Sequence, residues 1–394
     1  MKKKKIINLF EAFSGIWSQH EALKKLNMEI NNVWISEWYI DALLSYWLYH
    51  LKLKIKNINR QEVLDKLSNY TFSKNSKEPA KNLNNITDDK LSILEQIIDM
   101  FWELDINKIT WKELVNKDID LFTYSFPCQD ISQQWKQKWF AKWTDSRSGL
   151  LWQIERILKE MKEIDSTKLP KVLLMENVKA IIGKNFKEDL NEWVLELENI
   201  WYVSSKPFIL NSSKIGSAQN RDRVFLISVL KDTANSNNIQ SLFSSEQINI
   251  DLDKNTKWQI QDIFQKNMKH DIFTHWDKKI IYNHRVNKKE NSIKKWFLEN
   301  YTTFNSENYF YYLDWQSPTI TSTWAQSRIK VWDKEQIIYL NAYEHLLLQW
   351  FNNKELYIKM KEIWLSETKI KFLAWNSINV DVLTYIFNKV IQYV

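Results

Sequence analysis

Over its first 230 residues the chain alternates short apolar runs with stretches of helical periodicity, and this alternation narrows the fold more than any other feature. Runs at 6–10, 33–36, 119–125 (IDLFTYS), 172–175 (VLLM) and 224–228 (VFLIS) read as strands, with helical patterns at 16–26, 42–49, 150–161 and 190–200 between them. That order predicts an α/β domain whose parallel sheet is covered by helices. Residues 50–115 are rich in lysine and asparagine and read only as mixed helix and loop. From about 230 to 315 asparagine, lysine and isolated aromatics replace the periodic runs, which predicts a second, less regular domain. Helical patterns return at 342–350 and 380–390. The expected division is 1–230, 231–345, and a helical segment 346–394 that packs back on the first domain.

A chain of 394 residues can bury a substantial core. Its single cysteine excludes a disulfide framework and a cysteine-built zinc cage, and nothing calls for a metal. No window approaches eighteen uninterrupted apolar residues, so the expectation is a soluble, cytoplasmic protein without a membrane partner. The net charge of +7 suits a polyanionic partner.

The cysteine lies in Ser125-Phe126-Pro127-Cys128-Gln129, directly after a strand. A lone cysteine is by default an inert core residue, but the carboxyl ends of parallel strands are where ligands and reactive groups gather. A second strand ends in Met175-Glu176-Asn177-Val178, which brings a carboxyl group to the same edge. A third is entered through Gln219-Asn220-Arg221-Asp222-Arg223-Val224-Phe225, where two arginines at i and i+2 share a side and can hold an anion or a polarised carbonyl.

These three segments, in this order and each at a strand boundary, resemble the cytosine carbon-5 DNA methyltransferase family. The likeness extends to 10–19 (FEAFSGIWSQ), 146–155 (SRSGLLWQIE), 317–321 (SPTIT) and 374–378 (AWNSI). It implies a Rossmann-like S-adenosylmethionine-dependent methyltransferase sheet with a smaller target-recognition domain. Carbon 5 of cytosine is a poor nucleophile until a thiolate adds to carbon 6, and the resemblance assigns that addition to Cys128. Glu176 would contact ring nitrogen 3 and the exocyclic amine, which asks for a proton on the carboxyl. Arg223 would hold the base carbonyl and Arg221 orient neighbouring groups. The base must leave the duplex to be reached, and Gln134 would fill the space it vacates. S-adenosyl-L-methionine would meet Phe13 and Gly15 at its methionine end, Glu37 at the ribose and Trp38 at the adenine, with Pro127, Leu150, Asn376 and Ser377 completing the site.

Residues 301–309 (YTTFNSENY) and 321–330 (TSTWAQSRIK) look like the corresponding stretches of mollicute-type methyltransferases that recognise CG. This implies DNA contacts at Ser306, Thr321, Ser327 and Arg328, and a CG target. Double-stranded DNA is the expected partner of a monomer, and a cognate restriction endonuclease a further candidate partner. Two rivals remain at this stage: a transfer-RNA methyltransferase on the same scaffold, and a catalytically impaired DNA-binding relative.

One residue type departs from the family throughout. The chain has four glycines and 21 tryptophans, where ordinary usage at about 7% would give roughly 28 glycines. Trp17, Trp135, Trp139, Trp201, Trp324, Trp350 and Trp375 all stand where the family has glycine. The hypothesis is a gene in which UGA means glycine, written out with a table in which it means tryptophan. UGG codons at positions 17, 135, 139, 324 and 375 would refute it.

Overall fold

The computed structural model describes residues 5–48, 54–127, 147–243, 257–274, 280–281, 295–299, 301–303, 305–321, 328–363 and 365–394. By packing, the chain divides into two compact units. The first comprises residues 1–210, 223–249 and 384–394, the second 211–222 and 250–383. This division cuts elsewhere than the expected boundaries at 230 and 345. Residues 211–222 go with the second unit because Ser217 Oγ and Gln219 Nε2 donate to the Leu348 carbonyl, at 3.3 and 3.1 Å. The helices Ala342–Leu348 and Glu367–Asn376 pack together in that same unit. Only the chain's end belongs to the first unit, where Lys5 Nζ donates to the Ile391 carbonyl at 3.1 Å.

The first unit is built on a seven-stranded sheet. Its strands are β1 (Ile6–Ala12), β2 (Glu29–Ser36), β3 (Leu121–Tyr124), β4 (Val172–Val178), β5 (Tyr202–Ser204), β6 (Phe208–Asn211) and β7 (Asp222–Leu230). Their order is β2-β1-β3-β4-β7-β5, and β6 also pairs with β7. The β1–β2, β1–β3 and β3–β4 pairs are parallel. β7 runs antiparallel to β4 and to β5. Every residue of β3 is buried, as a strand covered on both faces requires.

Helices α1 (Ser18–Lys25) and α2 (Ile40–Tyr46) follow β1 and β2. The stretch left unplaced from sequence holds α3 (Arg60–Leu67), α4 (Asp88–Met100) and α5 (Trp111–Leu114). Between β3 and β4 lies α6 (Leu151–Asp165), which buries Leu151, Ile154, Leu158 and Met161 at the three- and four-residue spacing of one helix face. Between β4 and β5 lies α7 (Lys187–Ile200).

The second unit contains a five-stranded sheet where irregular chain was expected. Strands β8 (Ile280–Ile281), β9 (Lys295–Leu298), β10 (Tyr309–Tyr312), β11 (Lys330–Trp332) and β12 (Ile337–Tyr339) run in the order β12-β11-β10-β9-β8. Phe273, Leu298, Phe310 and Ile337 form its core.

Among the described residues three tryptophans adopt a backbone conformation that glycine favours. φ is +68° at Trp17, +114° at Trp201 and +69° at Trp350. Left-handed geometry crowds the Cβ of any L-residue against its own backbone, and for a bulky side chain it is an outlier. Trp350 follows the helix Ala342–Leu348 at a motif closed by two bonds, from Trp350 N–H to the Leu347 carbonyl (2.9 Å) and from Phe351 N–H to the Leu346 carbonyl (3.0 Å). Glycine is the usual occupant of that position. Trp201 also ends a helix in the left-handed conformation, capping α7 with its N–H reaching the carbonyls of Leu197 and Glu198 at 3.2 Å each.

Candidate active site

β1 delivers the chain into a tight turn. The N–H groups of Phe13 and Ser14 donate to the Ser36 carbonyl at 2.7 and 3.2 Å, so the turn is docked on the end of β2. Just beyond β2, Glu37 Oε2 accepts from Gly15 N–H at 3.0 Å, and Oε1 accepts from the N–H groups of Trp38 and Tyr39 at 3.0 and 2.9 Å. Burial pushes the Glu37 carboxyl up, and the three backbone donors offset part of that. Phe13, Gly15, Glu37 and Trp38, singled out from sequence, are thus brought together at one edge of the sheet.

Two features of this edge suit a bound polar ligand. A Cβ added at Gly15, whose φ is +55°, would meet nothing within 4 Å. Ser14 Oγ and Glu11 Oε1 are buried polar atoms without a hydrogen-bond partner among the described residues. Glu11 was not foreseen from sequence. It is fully buried on β1, its Oε2 accepts from Tyr46 O–H at 2.7 Å, and burial raises its pKa to about 8. The Trp17 indole is also fully buried, edge-on to the Tyr46 ring with centroids 6.1 Å apart. An acid inside an apolar strand was the available signal, and it was masked by the hydrophobic run around it.

The next two strands carry the second cluster. β3 ends at Tyr124, and Ser125-Phe126-Pro127 turns out of the sheet. Cys128 and Gln134 lie outside the described residues. On β4 Glu176 is buried, and its Oε1 lies 3.0 Å from Arg223 Nε. The ladder explains the pairing: Glu176 sits opposite Phe225, and Arg223, two residues from Phe225, projects from the same face. Asn177 Nδ2 donates to the Phe126 carbonyl at 3.2 Å, while its Oδ1 accepts from Val178 N–H at 2.8 Å. Asn177 therefore ties the end of β4 to the turn that leads into Pro127-Cys128.

Arg221 has other partners. Its buried guanidinium donates through Nη2 to the carbonyls of Trp375 (2.8 Å) and Ser377 (3.1 Å), all within the second unit. Of those neighbours, Ser377 is buried and Asn376, the last residue of its helix, is exposed. Leu150, half-buried, closes the 3-10 turn that opens α6.

The residues assigned to DNA spread over the second unit. Ser306 belongs to the 3-10 turn Asn305–Asn308, Thr321 is exposed, and the Arg328 guanidinium lies 5.7 Å from the Tyr339 ring centroid. Ser327 lies outside the described residues. Among the described residues no helix is long and apolar enough to cross a membrane.

Comparison with known proteins converges on one family. The profile of the C-5 cytosine-specific DNA methylases matches residues 82–392. The orphan methyltransferase M.SssI of Spiroplasma monobiae is 38% identical over 402 aligned residues, covering 98% of each chain. The type II methyltransferase M2.ScrFI of Lactococcus lactis is 39% identical over 233 residues, 57% of this chain and 61% of its own length. The fold also resembles that of the S. pombe Dnmt2 methyltransferase, with a TM-score of 0.60 over 97% of each chain at 18% identity. A family profile over most of the chain, together with a full-length relative, identifies this protein as a member of the C-5 cytosine-specific DNA methylases, a DNA (cytosine-5-)-methyltransferase whose methyl donor is S-adenosylmethionine.

Proposed function

We propose that the chain methylates the cytosine of CG sites in duplex DNA through a covalent adduct with Cys128. The observation that carries this reading is the Glu176–Arg223 pair, set on neighbouring strands beside the Asn177-tethered turn that enters Pro127-Cys128. The Cys128 thiolate adds to carbon 6 of a flipped cytosine while Glu176 meets nitrogen 3 and the exocyclic amine, where the electron density pushed into the ring collects. Arg223 positions Glu176 and reaches the base carbonyl. S-adenosylmethionine, when bound, supplies an electrophilic methyl group. Loss of the carbon-5 proton to a base then expels the thiolate and restores the aromatic ring.

The cofactor would be held by the turn at Phe13–Gly15, with Glu37 accepting from a ribose hydroxyl through the Oε2 lone pair its three backbone donors leave. Trp38, Pro127, Leu150, Asn376 and Ser377 would line the remainder. Arg221 supports Ser377 through its backbone. The second unit would carry target recognition, with Ser306, Thr321, Ser327 and Arg328 meeting DNA, and Gln134 filling the gap left by the flipped base. Lysines would neutralise phosphates and loops would read base edges. Type II relatives favour a restriction-modification role with a cognate endonuclease.

The test uses a CG duplex bearing 5-fluorocytosine, whose carbon-5 fluorine cannot leave as a proton, so an adduct once formed persists. With S-adenosylmethionine present, the chain should form a denaturation-resistant complex that Cys128→Ser abolishes. A complex that survives Cys128→Ser, or methyl label entering transfer RNA and not DNA, would overturn the reading. Bisulfite sequencing of a treated plasmid checks the CG target.

A further inference from the structure

Lysine is rarely found wholly inside a protein, yet Lys330, the first residue of β11, is 0% exposed. Its ammonium lies 5.2 Å from the ring centroid of Tyr301 and 5.7 Å from those of Phe273 and Tyr339. It donates to the Glu307 carbonyl at 2.7 Å, with the Glu307 carboxylate 3.6 Å away. These contacts join separate stretches of the second unit. Tyr339 lies opposite Lys330 on β12, Tyr301 and Glu307 belong to the segment before β10, and Phe273 lies in the core. That segment is closed on itself by the Asn308 side chain, which accepts from Thr302 N–H at 3.0 Å and donates to the Thr302 carbonyl at 2.8 Å.

A buried ammonium is an expensive way to fill such a space. Replacing buried charges by apolar side chains of similar volume is commonly neutral or stabilising. Methionine on β11 would pack against the same rings, so stability alone does not account for the lysine. What methionine could not supply is the bond to Glu307 and the attraction to three ring faces, which together anchor the 302–308 loop to the sheet. Ser306 lies in that loop, and Arg328 precedes Lys330 by two residues, its guanidinium over the same Tyr339 ring.

We propose that Lys330 is a positioning residue for DNA recognition: held in the box of Phe273, Tyr301 and Tyr339, it staples the 302–308 loop to β11 so that the loop and Arg328 meet DNA as one preformed surface. The inference rests on the reading of the second unit as the target-recognition unit. A site that gives up stability for function breaks a local rule of core construction, as Lys330 does.

The test is Lys330→Met in the full chain, measured by urea unfolding and by titration with S-adenosylmethionine and with a CG-containing duplex. The staple predicts an unchanged or higher unfolding midpoint, unchanged S-adenosylmethionine affinity, and duplex affinity weaker by about tenfold, the scale of one lost desolvated cation–π contact. In steady state KM for the duplex should rise while kcat holds. Duplex affinity and KM equal to those of the parent would overturn the role of Lys330 alone. A parent chain that binds no duplex would overturn the target-recognition reading, and this inference with it. Should Lys330→Met fail to fold, Tyr301→Leu removes one wall of the box with the lysine in place, and the same outcomes decide.

Discussion

Glu11 sits fully buried on a central strand, and its acidity should govern part of the protein's pH response. Burial raises its pKa from 4.5 to about 8, only partly opposed by the Tyr46 hydroxyl. Between those values the folded protein keeps a proton that the unfolded chain has lost, so folding stability falls as pH rises through that window. Glu11→Gln keeps an acceptor for Tyr46 and cannot ionise. Urea unfolding should find the variant matched to the parent near pH 4 and more stable by at least about 1 kcal/mol at pH 9. Parallel stability profiles for the two proteins would show that the carboxyl ionises at no cost to the fold. A second residue-scale prediction concerns Trp201, where an exposed indole stands at φ +114°. Trp201→Gly and Trp201→Ala lose the same contacts, to Asp232 Oδ1 and the Lys231 ammonium, but only glycine also relieves the backbone. Glycine should therefore be the more stable of the two by about 1–2 kcal/mol, read from urea midpoints. Equal stabilities would remove the conformational argument for glycine at this position.

At the scale of elements, the central strands were legible because strands buried on both faces are continuous apolar runs. VLLM became β4 and IDLFTYS contained β3. The antiparallel course of β7 was not legible: an apolar run carries no direction, and direction is set by the ladder it joins. The sheet of the second unit was missed for a different reason. Its strands are two to four residues long, too short to show a period. The tie between elements with the most direct bearing on chemistry is the bond from Asn177 on β4 to the Phe126 carbonyl. If Cys128 reacts as proposed, Asn177→Ala should loosen the segment that leads toward it and lower kcat by about tenfold or more, because small misplacements of a reacting group are costly. S-adenosylmethionine affinity should hold. A kcat equal to the parent's would show that the turn is held by other contacts.

At the scale of the whole molecule, the two arginines of one short motif have different employment: Arg223 pairs with Glu176 in the first unit, and Arg221 braces Trp375 and Ser377 in the second. The tryptophan-for-glycine pattern also acts at this scale, since among the described residues it touches both the turn after β1 and the ends of two helices. Glycine restored at Trp17, Trp201, Trp350 and Trp375 should tighten S-adenosylmethionine binding at least about tenfold, because an indole at Trp17 fills space against Tyr46, whose hydroxyl holds Glu11. Equal affinity by titration calorimetry would show that the tryptophans are tolerated as written. Sequence by itself determined the class of sheet, the family resemblance and the anomaly in glycine usage, because apolar patterning and side-chain type are local properties. Tertiary structure alone decided the partner of each charged group, the burial of Glu11 and Lys330, and the sign of φ at Trp201. Those depend on which distant segments pack together, and no window of sequence contains that information.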